Sequence, residues 1–333
     1  MVKQILKVMV SGIIALIILS MLSMVYYNPP LGLPQPDKIT NYRHMENVRW
    51  SAMLEGAGYG KIDQLGYNNM YYNNCTDPDI VFVGSSNLEA FQVPADSNFV
   101  HLLNQKLAED DAASNDFACM NIGISGHFFN IVASNFRNVV EKYKDAKYFI
   151  IETGNVRFGA DEIEKMLTEK DSNPYEGSGK LSMAVRGVPF VKLLLKKVAE
   201  LNEGNTDNQK QTPSAEDMEL YKEKMSEVLD KIAKLSAEKN AKTMILFHSR
   251  FQVIGDEIQI EHDAEYLKAF RECCEENGVE FIDVTPRFIS EYQNTYKLPY
   301  GFSNTTPGAG HLNKWGHKLI AEELYHIFAE GEE

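Results

Sequence analysis

The chain has 333 residues, is 44% hydrophobic and carries 17 Phe, 16 Tyr and 2 Trp, which excludes a disordered polypeptide and allows one large α/β domain or two average ones. Its formal net charge is −14, and setting aside Lys3 and Lys7, the only charged residues among the first 31, leaves the remainder at −16. A body this acidic is repelled by nucleic acid and by anionic lipid, so no nucleic-acid partner is expected and cationic, zwitterionic or neutral ones are more natural.

The run from Val8 to Tyr27 is uncharged. At 1.5 Å rise per residue, twenty such residues span roughly 30 Å, the hydrocarbon thickness of a bilayer. No small-residue cleavage pattern and no lipid-accepting Cys ends it, while Lys3 and Lys7 precede it and Tyr26 and Tyr27 close it. The expectation is an uncleaved signal anchor over residues 1–28, with a cytoplasmic N-terminus and the rest of the chain extracytoplasmic. Residues 29–78 then read as a stiff spacer with Pro29, Pro30, Pro34 and Pro36, followed by a membrane-proximal extension. A helix is expected over Tyr42–Leu54, and the Tyr/Asn/Gly-rich stretch after it has no readable role.

From Asp79 to the end the pattern is regular. Strands are expected at Ile80–Val83, Phe117–Ile122, Tyr148–Glu152, Thr243–His248 and Val279–Val284, separated by helices at Ser97–Glu109, Phe128–Tyr143, Ala215–Lys239 and His262–Asn277. The third helix has a Ser214/Asp217 cap signal and an apolar stripe of Tyr221, Met225, Val228, Ile232 and Leu235. Strands alternating with helices argue for a parallel sheet covered on both faces, with ligands at the carboxyl ends of the strands. An insertion at about 159–214 interrupts the alternation. It holds an amphipathic helix at Pro189–Leu201, either a cover on the domain or a helix resting on the membrane or an integral partner, and a polar loop over residues 202–213. The four cysteines, Cys75, Cys119, Cys273 and Cys274, have no zinc spacing and read as small apolar residues rather than a disulfide framework.

Four short blocks fall where such a sheet would gather chemistry. Gly84-Ser85-Ser86-Asn87 follows the first strand and presents a hydroxyl beside backbone amides. Asn121-Ile122-Gly123-Ile124-Ser125-Gly126 follows the second, where glycine lets the backbone approach a ligand. Glu152-Thr153-Gly154-Asn155 follows the third and offers a carboxamide. Gly310-His311-Leu312-Asn313 opens a last helix at Lys314–Phe328 and offers an imidazole able to accept and return a proton. Each alone is an ordinary turn, cap or hydrogen-bonded residue; the ordered set is the signal.

Together these blocks resemble the SGNH, or GDSL-type, hydrolase superfamily over about residues 79–329. The resemblance implies a flavodoxin-like three-layer α/β/α fold with a five-stranded parallel sheet. It also implies Ser86 as nucleophile, His311 as base, and an oxyanion hole from the Ser86 amide, Gly126 and Asn155. Two departures stand out: Gly308 occupies the position where the family commonly has Asp three residues before the histidine, and Val156 follows the Asn where an Asp is common. The acid that orients the imidazole is therefore missing from its usual place. A backbone carbonyl, or Asp283 at the end of the fifth strand, is a candidate substitute. Asn87, Arg157, His248 and Arg250 leave the same sheet edge and are candidate substrate contacts; Phe128, Phe129 and Phe251 are candidates for an apolar acyl cleft.

No Gly-x-Ser-x-Gly elbow, P-loop or His-Glu-x-x-His occurs, and no cofactor or metal is expected. With its single anchor, the chain resembles the membrane-tethered subset that acts in teichoic-acid D-alanylation and exopolysaccharide acetylation. The expected function is a serine acyltransferase or esterase acting on O-acyl, chiefly acetyl, groups of a cell-envelope polysaccharide or teichoic-acid-like polymer. A membrane-bound O-acyltransferase is the expected partner. The alternative is a catalytically weakened module that binds a glycopolymer or scaffolds that partner.

Overall fold

In the computed structural model of the chain, which describes residues 2–28, 35–69, 77–109, 117–168, 188–202, 214–255 and 257–330, helix α1 (Val2–Tyr26) leads directly into a short strand β1 (Tyr27–Asn28). Pro29, Pro30, Pro34, Cys75 and nearly all of the polar loop at 202–213 lie outside the described residues. By length and composition α1 can cross a membrane, as an anchor or a signal sequence would.

The extension is built from strands, contrary to the helix expected at Tyr42–Leu54. Strands β2 (Gln35–Asp37) and β3 (Asn41–Arg43) form one hairpin, and β4 (Arg49–Ala52) lies between β1 and β5 (Gly58–Lys61) in an antiparallel sheet. The reason is local. Trp50 and Ala52 are buried while Arg49 points out, a period of two rather than 3.6, and Asn47 at φ 60° breaks any helical run. Trp50, Ile62, Phe91 and Ala95 then form a small core that joins this sheet to the main body.

The main sheet has five parallel strands: β6 (Ile80–Val83), β7 (Cys119–Asn121), β8 (Tyr148–Thr153), β9 (Lys242–Phe247) and, last in sequence, β12 (Glu280–Asp283). Their order is β12-β9-β8-β6-β7. Alternation divides each strand between two cores. Ile80 and Phe82 face a layer of α3 (Phe99–Glu109), α9 (Thr285–Thr295) and α10 (Lys314–Glu330). Val81 and Val83 face a layer of α4 (Phe129–Lys142), α7 (Ala215–Ala237) and α8 (Ala264–Glu276). This is the three-layer α/β arrangement expected, and the predicted α7 stripe is buried as a unit, with Ser214 and Asp217 forming the reciprocal cap. Cys119, Cys273 and Cys274 are free and buried.

Also unanticipated are α9 and an antiparallel hairpin of β10 (Phe251–Ile254) and β11 (Glu257–Ile260). Within the insertion, α5 (Ala160–Leu167) packs on α4 and α7. Helix α6 (Pro189–Asn202) has α1 and β1 as its main packing partners rather than the parallel sheet, and leaves Leu194, Leu195 and Val198 exposed.

Candidate functional site

Strand β6 ends in Gly84, where an added Cβ would lie 2.5 Å from Glu152 Oε2, so only glycine lets the chain pass the end of β8 this closely. The next turn starts a short helix α2 (Ser86–Glu89) and presents a half-buried Ser86 at the sheet edge. At the other end of the sequence, Leu312 donates its N–H to Asn87 Oδ1 (3.0 Å), and Asn313 Nδ2 donates to the carbonyls of Leu298 (2.8 Å) and Gly301 (3.0 Å). The first bond holds the loop before α10 against α2, the other two tie it to the segment before it, and Ser86 Oγ and His311 Nε2 meet at 2.9 Å.

The other ring nitrogen, His311 Nδ1, is 2.7 Å from Glu55 Oε2, and the His311 backbone N–H donates to Glu55 Oε1 at 2.8 Å. A carboxylate facing Nδ1 places the proton there and leaves Nε2 as acceptor for the serine hydroxyl. Glu55 stands in the loop between β4 and β5. That loop is laced to the body by Asn304, whose Oδ1 accepts from Gly56 N (2.9 Å) and whose Nδ2 donates to the Met53 and Gly56 carbonyls (3.0 Å each). Asp283 is not the orienting acid. Its Oδ2 binds Arg271 Nη2 at 2.8 Å and its Oδ1 accepts from Thr285 N at 2.9 Å at the start of α9. Gly308, in the position where the acid was missed, donates its N–H to the Tyr300 carbonyl.

Among the described residues no hydrogen bond is made by the backbone N–H of Ser86 or of Gly126, so both are available as donors. Gly126 is exposed at φ 87° on the loop after β7. Asn155 lines the same cavity as Ser86 and His311, of about 360 Å³, whereas Gly126 is not part of its lining. The Asn155 amide Nδ2 makes a single long bond, 3.3 Å, to the Arg157 carbonyl, and its Oδ1 is held by Arg157 N at 3.0 Å.

Two buried carboxylates support these loops. Glu152, fully buried at the end of β8, accepts from Ser85 N (2.7 Å) and Ser85 Oγ (2.9 Å) and pairs with His248 Nε2 (2.8 Å). Burial alone would raise its pKa, but the His248 and Ser85 bonds outweigh it and hold the carboxyl below its ordinary range. His248 Nδ1 meets Tyr300 OH at 2.5 Å, and burial, reinforced by the Glu152 charge, pushes that phenol well above its usual pKa. Glu89, fully buried at the end of α2, pairs with His44 Nε2 (2.5 Å) and accepts from Ser125 N (2.9 Å) and from the Ser125 hydroxyl, fixing the residue before Gly126. Asn68 Nδ2 caps the Glu89 carbonyl at 2.7 Å, and the Asn69 side chain brackets Asn121 through both its backbone groups. Residues 44–69 therefore brace the loops that carry Ser86, Gly126 and His311.

The remaining expected contacts divide. Arg250 lines the cavity but its Nε is paired with Glu261 at 2.8 Å. Arg157 pairs with Asp263 at 3.4 Å and lies over the Tyr266 ring, outside the cavity lining. Asn87 and His248 line the cavity, but Asn87 Oδ1 is committed to Leu312 and His248 has both nitrogens engaged, so His248 braces the site instead of reaching for substrate. Of the three phenylalanines only Phe128, 54% exposed, borders the cavity; Phe129 packs on Phe158 and Phe270, and Phe251 on Tyr292.

Glu55, Glu152 and Glu89 escaped the sequence reading. Glu152 had a signal, because a carboxylate closing an apolar strand must find partners. Glu55 had none beyond its place before Gly56-Ala57-Gly58.

No protein-family model matches the chain, and no curated protein matches it. Among solved structures, the chain is similar to LAE5, an α/β hydrolase enzyme from the metagenome of Lake Arreo (18% identity, TM-score 0.43, covering 76% of this chain and 95% of that one). It is also similar to an acetyl xylan esterase, AlAXEase (12% identity, TM-score 0.44, 74% and 98%). A third is a catalytic mutant of Axe2, an acetylxylan esterase from Geobacillus stearothermophilus (11% identity, TM-score 0.41, 75% and 94%).

Proposed function

We propose that the chain is a serine-dependent O-acyl esterase or acyltransferase, tethered by α1 with its body outside the cytoplasm, acting on acyl groups of a cell-envelope glycopolymer. The observation that carries this reading is the unbroken Glu55–His311–Ser86 chain, 2.7 Å and then 2.9 Å. Ser86 Oγ attacks the acyl carbonyl carbon as its proton passes to His311 Nε2; Glu55 holds the imidazole in the required tautomer and stabilises it when charged. The tetrahedral oxyanion takes hydrogen bonds from the Ser86 amide and Asn155 Nδ2, while Gly126, expected as a third donor, lies outside the cavity lining. Collapse returns the proton from Nε2 to the departing hydroxyl oxygen and leaves acyl-Ser86. A water or a sugar hydroxyl then gives its proton to Nε2, attacks the acyl carbon, and releases Ser86 with its proton restored.

The small cavity, with one exposed phenylalanine at its border, suits a short acyl group such as acetyl better than a long chain. In this reading a membrane-bound O-acyltransferase is the natural donor-side partner, because both would sit at one membrane surface. Glu55 also supplies an acid for His311, which speaks against a weakened, non-catalytic module on one of its two grounds, the other being the acidic surface. The test is labelling of the full-length protein by an acyl-like fluorophosphonate. Labelling lost in Ser86→Ala supports the enzyme, and a folded wild-type protein that never labels overturns it.

A further inference from the structure

Beside the candidate site lies a second, larger groove of about 770 Å³ that nothing above uses. Its walls continue the two loops that carry the site: Gly56 and Ala57 follow Glu55, and Asn313 follows His311. Three aromatic rings line it, Tyr59, Phe302 and Trp315, with Tyr59 56% exposed.

The charge of this groove runs against the rest of the molecule. In a chain of net charge −14, no Asp or Glu lines it, while Lys297 and Lys314 do. Among the described residues neither lysine has a carboxylate partner. By contrast Lys318, nearby, is paired with Glu322. The Lys297 ammonium sits 4.2 Å over the Trp315 ring, which holds the cation at the wall and lowers the entropy cost of using it on a ligand.

We propose that this groove is a subsite for an acidic glycan, a sugar chain bearing phosphate or carboxylate, whose rings lie on Tyr59 and Phe302 and whose anionic groups meet Lys314 and Lys297, the latter held over Trp315. Flat aromatic faces take the C–H faces of sugar rings, and a few placed polar groups and cations fix their orientation. The inference deepens the reading of Ser86 as an acyl-transfer site, since a polymer seated here would run along the Glu55 and His311 loops toward that serine. The overall acidity of the chain then disfavours a polyanion elsewhere and leaves this groove as a place where it is tolerated.

The experiment uses full-length protein in neutral detergent, carrying Ser86→Ala so that no turnover intervenes. It is titrated calorimetrically with oligogalacturonate, phosphomannan oligosaccharide and neutral xylo-oligosaccharide of matched length. At least one acidic chain binds, salt weakens it, and the neutral chain binds more weakly; which acidic chain binds tighter assigns carboxylate or phosphate. Lys297→Gln and Lys314→Gln each weaken acidic binding about tenfold, and Tyr59→Ala weakens acidic and neutral chains alike, with unfolding midpoints confirming that each variant is folded. Equal binding of neutral and acidic chains, indifference to the lysine substitutions in folded protein, or no binding of any chain overturns the proposal. Fluorophosphonate labelling of the wild type is read separately, so a failed groove and a failed catalytic site give different results.

Discussion

Glu55 and His311 are 256 residues apart in sequence, yet Glu55 accepts from the backbone N–H of His311 and faces its Nδ1, gripping the residue at two points. The carboxylate arrives on the loop of a sheet whose first strand, β1, is continuous with α1. The carboxylate facing the imidazole thus belongs to the segment between α1 and the parallel-sheet body, not to that body.

Replacing that carboxylate tests its role directly. Glu55→Gln preserves shape but removes the charge that fixes the tautomer, and turnover of p-nitrophenyl acetate is expected to fall about 10²–10⁴-fold. Asp283→Asn, which touches only the Arg271 and Thr285 contacts, leaves kcat/KM unchanged. An Asp283 effect as large as that of Glu55 would contradict the assignment.

Gly310→Ala attacks the same pair by sterics. The new Cβ would fall 2.2 Å from Glu55 Oε1, at a residue with φ 78°. Left-handed backbone costs a non-glycine residue about 1–2 kcal/mol, and the clash pushes the carboxylate off His311. Activity is expected to drop as in Glu55→Gln, with a lower urea midpoint. Gly126→Ala, also at positive φ but with no atom within 4 Å, carries the backbone strain without the collision and is the comparison for the stability loss.

Glu152→Ala removes the partner of His248 and of both Ser85 donors from a fully buried position. Breaking a buried pair this way costs about 3–5 kcal/mol, read as a loss in denaturant midpoint, and loosens the turn that carries Ser86. Glu152→Gln keeps one carbonyl acceptor and should lie between wild type and Glu152→Ala in both stability and turnover.

Acid should destabilise the fold well above the carboxylate range. Burial lowers His127 to about 4 and His317 to about 3. Both stay neutral in the folded state while the unfolded chain protonates them near 6.5, so below that pH the unfolded state binds more protons and stability falls with falling pH. Each histidine contributes a slope of up to about 1.4 kcal/mol per pH unit between its folded value and 6.5. Urea unfolding from pH 7 to pH 4.5 should show this slope. His317→Asn should flatten it by one histidine's share, and an unchanged slope would refute the assignment.

What could be read along the chain was whatever depends on neighbours in sequence. The apolar run at Ile80–Val83, the stripe from Tyr221 to Leu235 and the Ser214/Asp217 cap each rest on residues no more than four positions from the next, and they determined the strands, the helices and the layered sheet. Because strand ends in a parallel sheet lie at one edge, the order of the four blocks also placed Ser86, Asn155 and His311 around one cavity. The extension was misread because its strands are three or four residues long, too short for alternation to stand out from a helix. Only the tertiary structure decided which carboxylate meets His311, that His248 is spent on Glu152 and Tyr300, and that residues 44–69 brace the site. Those pairings join segments dozens to hundreds of residues apart. A carboxylate's partner is set by which loops the packed cores bring within about 3 Å of each other, a distance that no local spacing encodes.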